Sequence, residues 1–256
     1  MPAVVWDWLP AGLLVLFRSL GFFIASPLLS RTGVPAMVRV VAAAGIAVAL
    51  TPLVPLTPPA SLATLPGTVM AVVTESLLGA ILGLAATLPF AGIQLAGQLM
   101  GMQMGIGLAG VMDPQTGHQG GIMGRMLELV ALTLFLLADG HHILLRALAF
   151  SLKLHPPGTL GLQAGLGETL IDLGAAMFVI SLEVGGAVLG VLFLAETAMG
   201  FVARTVPQMN IFIVGFPAKI ALGLATLALT LPLYVSTLNR IFAGMEDSLL
   251  ALLRGM

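Results

Sequence analysis

Asp139-Gly140-His141-His142 places a carboxylate beside two imidazoles, and Arg146 follows four residues after His142. On a helix, Asp139, His142 and Arg146 fall at i, i+3 and i+7, a face that can hold an ion or pass a proton. A zinc hydrolase needs something like His-Glu-x-x-His, which sets both imidazoles on one side. Here the histidines are adjacent and their side-chain directions differ by about 100°, so that arrangement does not arise. The run reads instead as the end of one helix and the start of the next, its polar groups used for packing and hydrogen bonding. No catalytic, cofactor-binding or metal-ligating residue is assigned, and no cofactor is expected. With zero cysteines there is no thiolate site, disulfide framework or Cys nucleophile.

The remaining charges are few and isolated. Arg125 and Glu128 are spaced to pair on one helix face. Arg18, Glu75, Glu183, Glu196 and Lys219 stand alone in apolar stretches, where a charge is expensive and must face protein or water. Ion pairs across a subunit interface are the expectation for them, with partners left open.

The elements that must carry these residues follow from composition. Of the 256 residues, 59 % are hydrophobic and only 8 % charged, with a net charge of −1; soluble domains carry about three times that charge density. Mean hydropathy is +1.10. This is the composition of an integral membrane protein, and it leaves no basic surface for nucleic acid. No charge occurs between Arg39 and Glu75, or between Glu75 and Asp113. Each gap exceeds the roughly 20 apolar residues needed to cross a bilayer. The proline-rich run Thr51 to Pro59 divides the first, because proline lacks an amide donor. The expected fold is all-α and polytopic, with six broken apolar helices at about 10–30, 38–56, 68–93, 126–150, 170–199 and 211–238. Asp7 and the lack of Lys or Arg before the first helix argue against a signal peptide, and Trp6 and Trp8 read as interfacial anchors of a retained segment. If six helices alternate sides, Arg31, Arg39, Arg125 and Arg204 balance Arg146, Lys153, Arg240 and Arg254. The positive-inside rule therefore assigns no orientation. Either the protein is weakly biased, or its apolar surface is covered by other subunits.

Small and soft residues favour the second alternative. Gly97, Gly101 and Gly105 recur at i, i+4 spacing, as do Gly79 and Gly83, and Gly186 and Gly190, a pattern that lets helix backbones approach closely. Gln94, Gln98 and Gln103 sit among Met100, Met102, Met104 and Met112, ahead of Asp113-Pro114-Gln115-Thr116-Gly117-His118-Gln119-Gly120-Gly121. Asp-Pro followed by Thr-Gly is turn chemistry. A broken backbone at membrane depth is tolerated only inside protein or along a water-filled cavity, so this segment reads as a lumen-facing plug or as a solvated interhelical loop. Pro207, Gln208 and Asn210 form a turn between two apolar helices, and Gly215 with Pro217 should weaken the second of them in its first turns.

Taken in order, Gly101-Met102-Gln103-Met104-Gly105, Asp113-Pro114-Gln115-Thr116-Gly117, Asp139-Gly140-His141-His142, Pro207-Gln208-Met209-Asn210 and Gly215-Phe216-Pro217 resemble the R subunit (FliR) of the flagellar type III export gate. The resemblance runs along essentially the whole chain and includes Arg18 and the Pro27 to Pro35 turn with Arg31. Met112 stands before Asp113-Pro114, which puts in doubt any role that needs an aromatic there. The resemblance implies a non-enzymatic subunit of a right-handed helical complex with FliP and FliQ, next to FlhB and FlhA, through which unfolded flagellar proteins cross the bacterial inner membrane at the flagellar basal body. It implies a P-subunit-like part over 1–165 and a Q-subunit-like hairpin over 166–256. A plug near 105–121 would use Met102, Met104, Gly105, Gly110, Met112, Asp113, Pro114, Gln115, Thr116 and Gly117. Subunit packing would use Arg18, Glu75, Gly97, Gly101, Pro207, Gln208, Asn210, Gly215, Pro217 and Lys219. Two alternatives stand beside this one: a stand-alone secondary transporter or channel using the Asp139/His142/Arg146 face, and the virulence-injectisome relative with different cargo.

Overall fold

The computed structural model describes residues 2–29, 34–54, 60–106, 121–159, 165–206 and 211–255. Among these, seven α-helices account for almost everything: α1 (Pro2–Ala25), α2 (Ala36–Leu50), α3 (Leu65–Met104), α4 (Ile122–Leu137), α5 (Gly140–Leu154), α6 (Leu166–Thr205) and α7 (Ile211–Gly255). Short 3-10 turns lie at Thr51–Leu53 and Ala60–Ala63. No strand occurs among the described residues. Four helical segments are long and apolar enough to cross a membrane, beginning at Ala36, Leu65, Leu166 and Ile213. The protein is an all-α polytopic membrane protein.

The helix boundaries differ from the sequence expectation: α1 runs Pro2–Ala25 against 10–30, α2 ends at Leu50 against 56, α6 runs Leu166–Thr205 against 170–199, and three further differences are larger. The span expected at 126–150 is two helices, in keeping with the reading of Asp139-Gly140-His141-His142 as the end of one helix and the start of the next: Asp139 takes a left-handed backbone (φ 55°) between α4 and α5. The helix expected to end near 93 continues to Met104, and the one expected to end near 238 continues to Gly255. Alanine, leucine and glycine carry α3 on without a proline after Pro89. In α7, neither Pro217 nor Pro232 ends the helix; each removes one internal hydrogen bond, and the long apolar flanks hold the rod.

The chain groups into two compact units. The first comprises residues 1–88, 139–174 and 243–256. One of its cores joins Ala11 and Val15 of α1, Ala47 of α2, Leu152 of α5, and Val54 just after the Thr51–Leu53 turn, with Leu16 and Leu50 at its edge. The Thr51 hydroxyl donates to the Ala47 carbonyl at 2.6 Å and closes the last turn of α2 just before Pro52. Along α1 and α3 the two backbones touch. A Cβ at Gly79 would strike the Arg18 carbonyl, one at Gly21 the Ser76 carbonyl, and one at Gly83 would lie 2.5 Å from the Phe22 carbonyl oxygen. The Thr87 hydroxyl donates across the same seam to the Ala25 carbonyl at 2.6 Å.

The second unit comprises residues 89–138 and 175–242. Phe90, Phe135 and Phe242 form a buried aromatic cluster, with ring centroids 5.0 to 5.6 Å apart. Gly97 of α3 meets Gly124 of α4 so closely that a Cβ on Gly97 would lie 2.6 Å from the Gly124 Cα. The Tyr234 hydroxyl donates to the Leu127 carbonyl at 3.0 Å, tying α7 to α4. Within this unit α6 and α7 run antiparallel as a hairpin: Glu183 pairs with Arg240 at 2.9 Å and Glu196 with Lys219 at 3.3 Å, so partners rise on one helix as they fall on the other.

Candidate functional site

Two groups of residues stand out, one in each unit. In the first unit, the Arg18 Nε donates to Glu75 Oε2 at 2.5 Å, and both side chains are only 1 % exposed. The same guanidinium uses Nη1 to reach the Ser151 carbonyl at 2.9 Å and the Ser151 hydroxyl at 3.3 Å. The other oxygen of Glu75, Oε1, accepts from the Gly158 amide at 2.9 Å. A buried charge pair is tolerable only when its spare lone pairs and protons find partners. Here most do, although Arg18 Nη2 finds none among the described residues. Next to it, His155 Nε2 lies 2.8 Å from the Leu253 carbonyl near the end of α7. The charges expected at subunit interfaces thus have partners within the chain: Arg18 with Glu75, Glu183 with Arg240, and Glu196 with Lys219. Burial makes the first pair the least accessible to another subunit, whereas Glu183, Arg240 and Glu196 remain exposed.

In the second unit, the end of α3 meets the start of α4 and the first turns of α7. Met100 and Met104 are fully buried and Met102 is 60 % exposed. Gly105 ends the helix with φ 85°, a conformation that favours glycine, and the Phe216 ring occupies the place its side chain would take. The Met104 side chain lies against Gly223 in the same way. Gly97 packs on Gly124, and Gly101, buried, lies opposite Met123, whose Cβ would be 3.4 Å from an added methyl. Gly215 is buried and Pro217 exposed. Gly110, Met112, Asp113, Pro114, Gln115, Thr116 and Gly117 of the expected plug, and Pro207, Gln208 and Asn210 of the expected turn, lie outside the described residues.

The polar run at the α4–α5 junction is more compact than its spacing suggests. The ligand atoms of Asp139, His141 and His142 fall within 4.8 Å of one another, and the two histidine ring centroids are 4.1 Å apart. Rotation about the side-chain bonds brings together rings whose Cβ atoms point apart. Asp139 Oδ1 and His142 Nδ1 are 3.5 Å apart and both residues are largely exposed. Arg146 does not join them and pairs with Glu246 at 3.3 Å. Ser151, Gly158, His155 and Tyr234 escape sequence reasoning. Tyr234 had the plainest signal, as the single tyrosine of the chain, because a buried phenol requires an acceptor.

The helices define a polytopic membrane protein, and the related sequences place it among bacterial export proteins. Residues 9–245 match the family described as bacterial export proteins, family 1, and the chain belongs to that family. It is similar to the flagellar biosynthetic protein FliR of Bacillus subtilis (strain 168), 33 % identical over 93 % of this chain and 92 % of the relative. The FliR of Escherichia coli (strain K12) is 29 % identical over 93 % of this chain and 90 % of the relative. The Yop proteins translocation protein T of Yersinia pestis is 27 % identical over 58 % of each chain. The expected resemblance to FliR is thereby met, and with it a part in flagellar export.

Proposed function

We propose that this chain is a channel-forming subunit of the flagellar type III export gate, assembled with FliP and FliQ beside FlhB and FlhA in the inner membrane at the flagellar basal body, and carrying no catalytic chemistry of its own. Helix length against bilayer thickness is the observation that supports this most. The helices α3 and α6 have 40 residues each and α7 has 45, roughly 60 Å or more at 1.5 Å per residue. The hydrocarbon core is about 30 Å thick, so lipid accommodates only about half of such a rod. Yet large apolar side chains are exposed along α6 from Ile171 through Phe178, Phe193 and Phe201, and the most apolar window of α7 is only 11 % buried. Apolar surface beyond the reach of lipid is stable only under other protein. Stacked neighbouring subunits are the cover this reading supplies, and the balanced Lys/Arg distribution agrees with it.

In this reading residues 1–165 are the P-like part, 166–256 the Q-like hairpin, and the 105–121 segment plugs the closed pore until an unfolded rod, hook or filament protein displaces it. The glycine and methionine packing at Gly97, Gly101, Met104 and Gly105 holds the flanks of that segment. Deleting residues 110–121 should leave co-purification with FliP and FliQ intact and make the membrane leak small ions; a deletion that exports normally without leaking would overturn the plug. A chain that is stable alone or as a symmetric oligomer in detergent, with no need of FliP and FliQ, would overturn the subunit reading in favour of a self-contained transporter.

A further inference from the structure

The Arg18–Glu75 pair has a consequence for how α1 is held in the fold. α1 runs 24 residues, Pro2–Ala25, and its stretch from Leu9 onward is apolar. Arg18 sits near the middle of that stretch. A helix with a guanidinium in its apolar stretch is a poor occupant of an apolar environment by itself. Its seam with α3 brings the two backbones into close contact at Gly21, Gly79 and Gly83. α3 is 40 residues of high hydropathy. Glu75, ten residues into it, is just as buried as Arg18 and equally costly alone. Each charge becomes acceptable when the other arrives, and Ser151 and the Gly158 amide complete the set from α5 and the turn after it.

We infer that Arg18 and Glu75 form a charge-matched docking clamp, by which α1 is retained against α3 and α5 only once the Glu75 carboxylate is in place. The clamp is a matching device and not a source of net stability: an apolar pair of similar volume serves the same seam, whereas one charge without the other releases α1.

The absence of cysteine from the sequence makes this measurable in the full-length chain in native membranes. Ala11 is buried in the core beneath α2 and α5, and Ala11→Cys adds one small thiol that a membrane-permeant maleimide reaches only if α1 leaves its seat. Glu75→Gln should raise the labelling rate roughly tenfold or more. Arg18→Met combined with Glu75→Leu should return it to that of the Ala11→Cys parent. If Glu75→Gln fails to accumulate, the double variant should accumulate where it does not. Parental labelling in an accumulating Glu75→Gln, or a double variant that labels as fast as or accumulates no better than Glu75→Gln, would overturn the clamp.

Discussion

Single atoms decide several positions in this protein. At Gly79 an added methyl would have to displace the backbone of α1, which cannot yield as a side-chain end can, and overpacking of this kind costs about 1–3 kcal/mol or more. Gly45 in α2 has nothing within 4 Å of such a methyl, so the same substitution there should gain up to about 1 kcal/mol of helix propensity. Gly79→Ala should therefore lower the detergent melting temperature and Gly45→Ala leave it equal or higher; equal effects would refute the seam. Tyr234→Phe removes the bond to the Leu127 carbonyl and should cost about 1 kcal/mol, measured in the same melt. Little of this was readable in advance. The sequence marks Arg18 and Glu75 as anomalous charges, but they are 57 positions apart, and no local rule links residues at that separation. Ser151 and Gly158 have no unusual sequence signature at all, because a buried hydroxyl or amide is distinguished only by what it faces.

At the scale of elements, the break between α4 and α5 depends on Asp139 accepting a left-handed backbone, which Asp and Asn tolerate better than most residues and β-branched residues hardly at all. Asp139→Gly should be close to neutral, while Asp139→Val should destabilise by about 1–2 kcal/mol, visible as a lower melting temperature or reduced accumulation. The helix-breaking character of Asp-Gly-His-His was legible from residue types, yet the strongly apolar runs on either side of it, 129–138 and 143–150, were counted as one span. Hydropathy counts only how apolar a stretch is, and a single φ reversal leaves that unchanged. The same limitation shortened α3 and α7: Gln94 to Gln103 and Asn239 to Asp247 look polar enough to leave a membrane, but a helix needs only backbone continuity and one packed face to go on. The aromatic cluster makes the second unit sensitive in a different way. Phe135→Ala should cost about 3–5 kcal/mol because both ring contacts are lost at once.

For the molecule as a whole, the exposed glycines of α6 separate stability from assembly. Gly186 and Gly190 have open space beside them among the described residues. Gly186→Leu should leave the isolated protein as stable as before, or slightly more so, while reducing co-purification with FliP and FliQ if neighbouring helices approach there. Unchanged co-purification and normal swimming would show that this face is not an interface. The general architecture was legible from composition and proline placement, and the family from five ordered motifs. Which apolar faces meet lipid and which meet protein was not, since leucine has the same sequence signature in both settings.

The Arg18–Glu75 pair also has an electrical meaning. A unit charge moved through the whole membrane field does work of about 2.3 kcal/mol per 100 mV, but two opposite charges locked together move no net charge when their helices shift. Paired in this way, the joint carries no net charge for a standing potential to act on. Neutralising only Glu75 would leave a lone cation subject to the field, and α1 would then respond to depolarisation where the native chain does not.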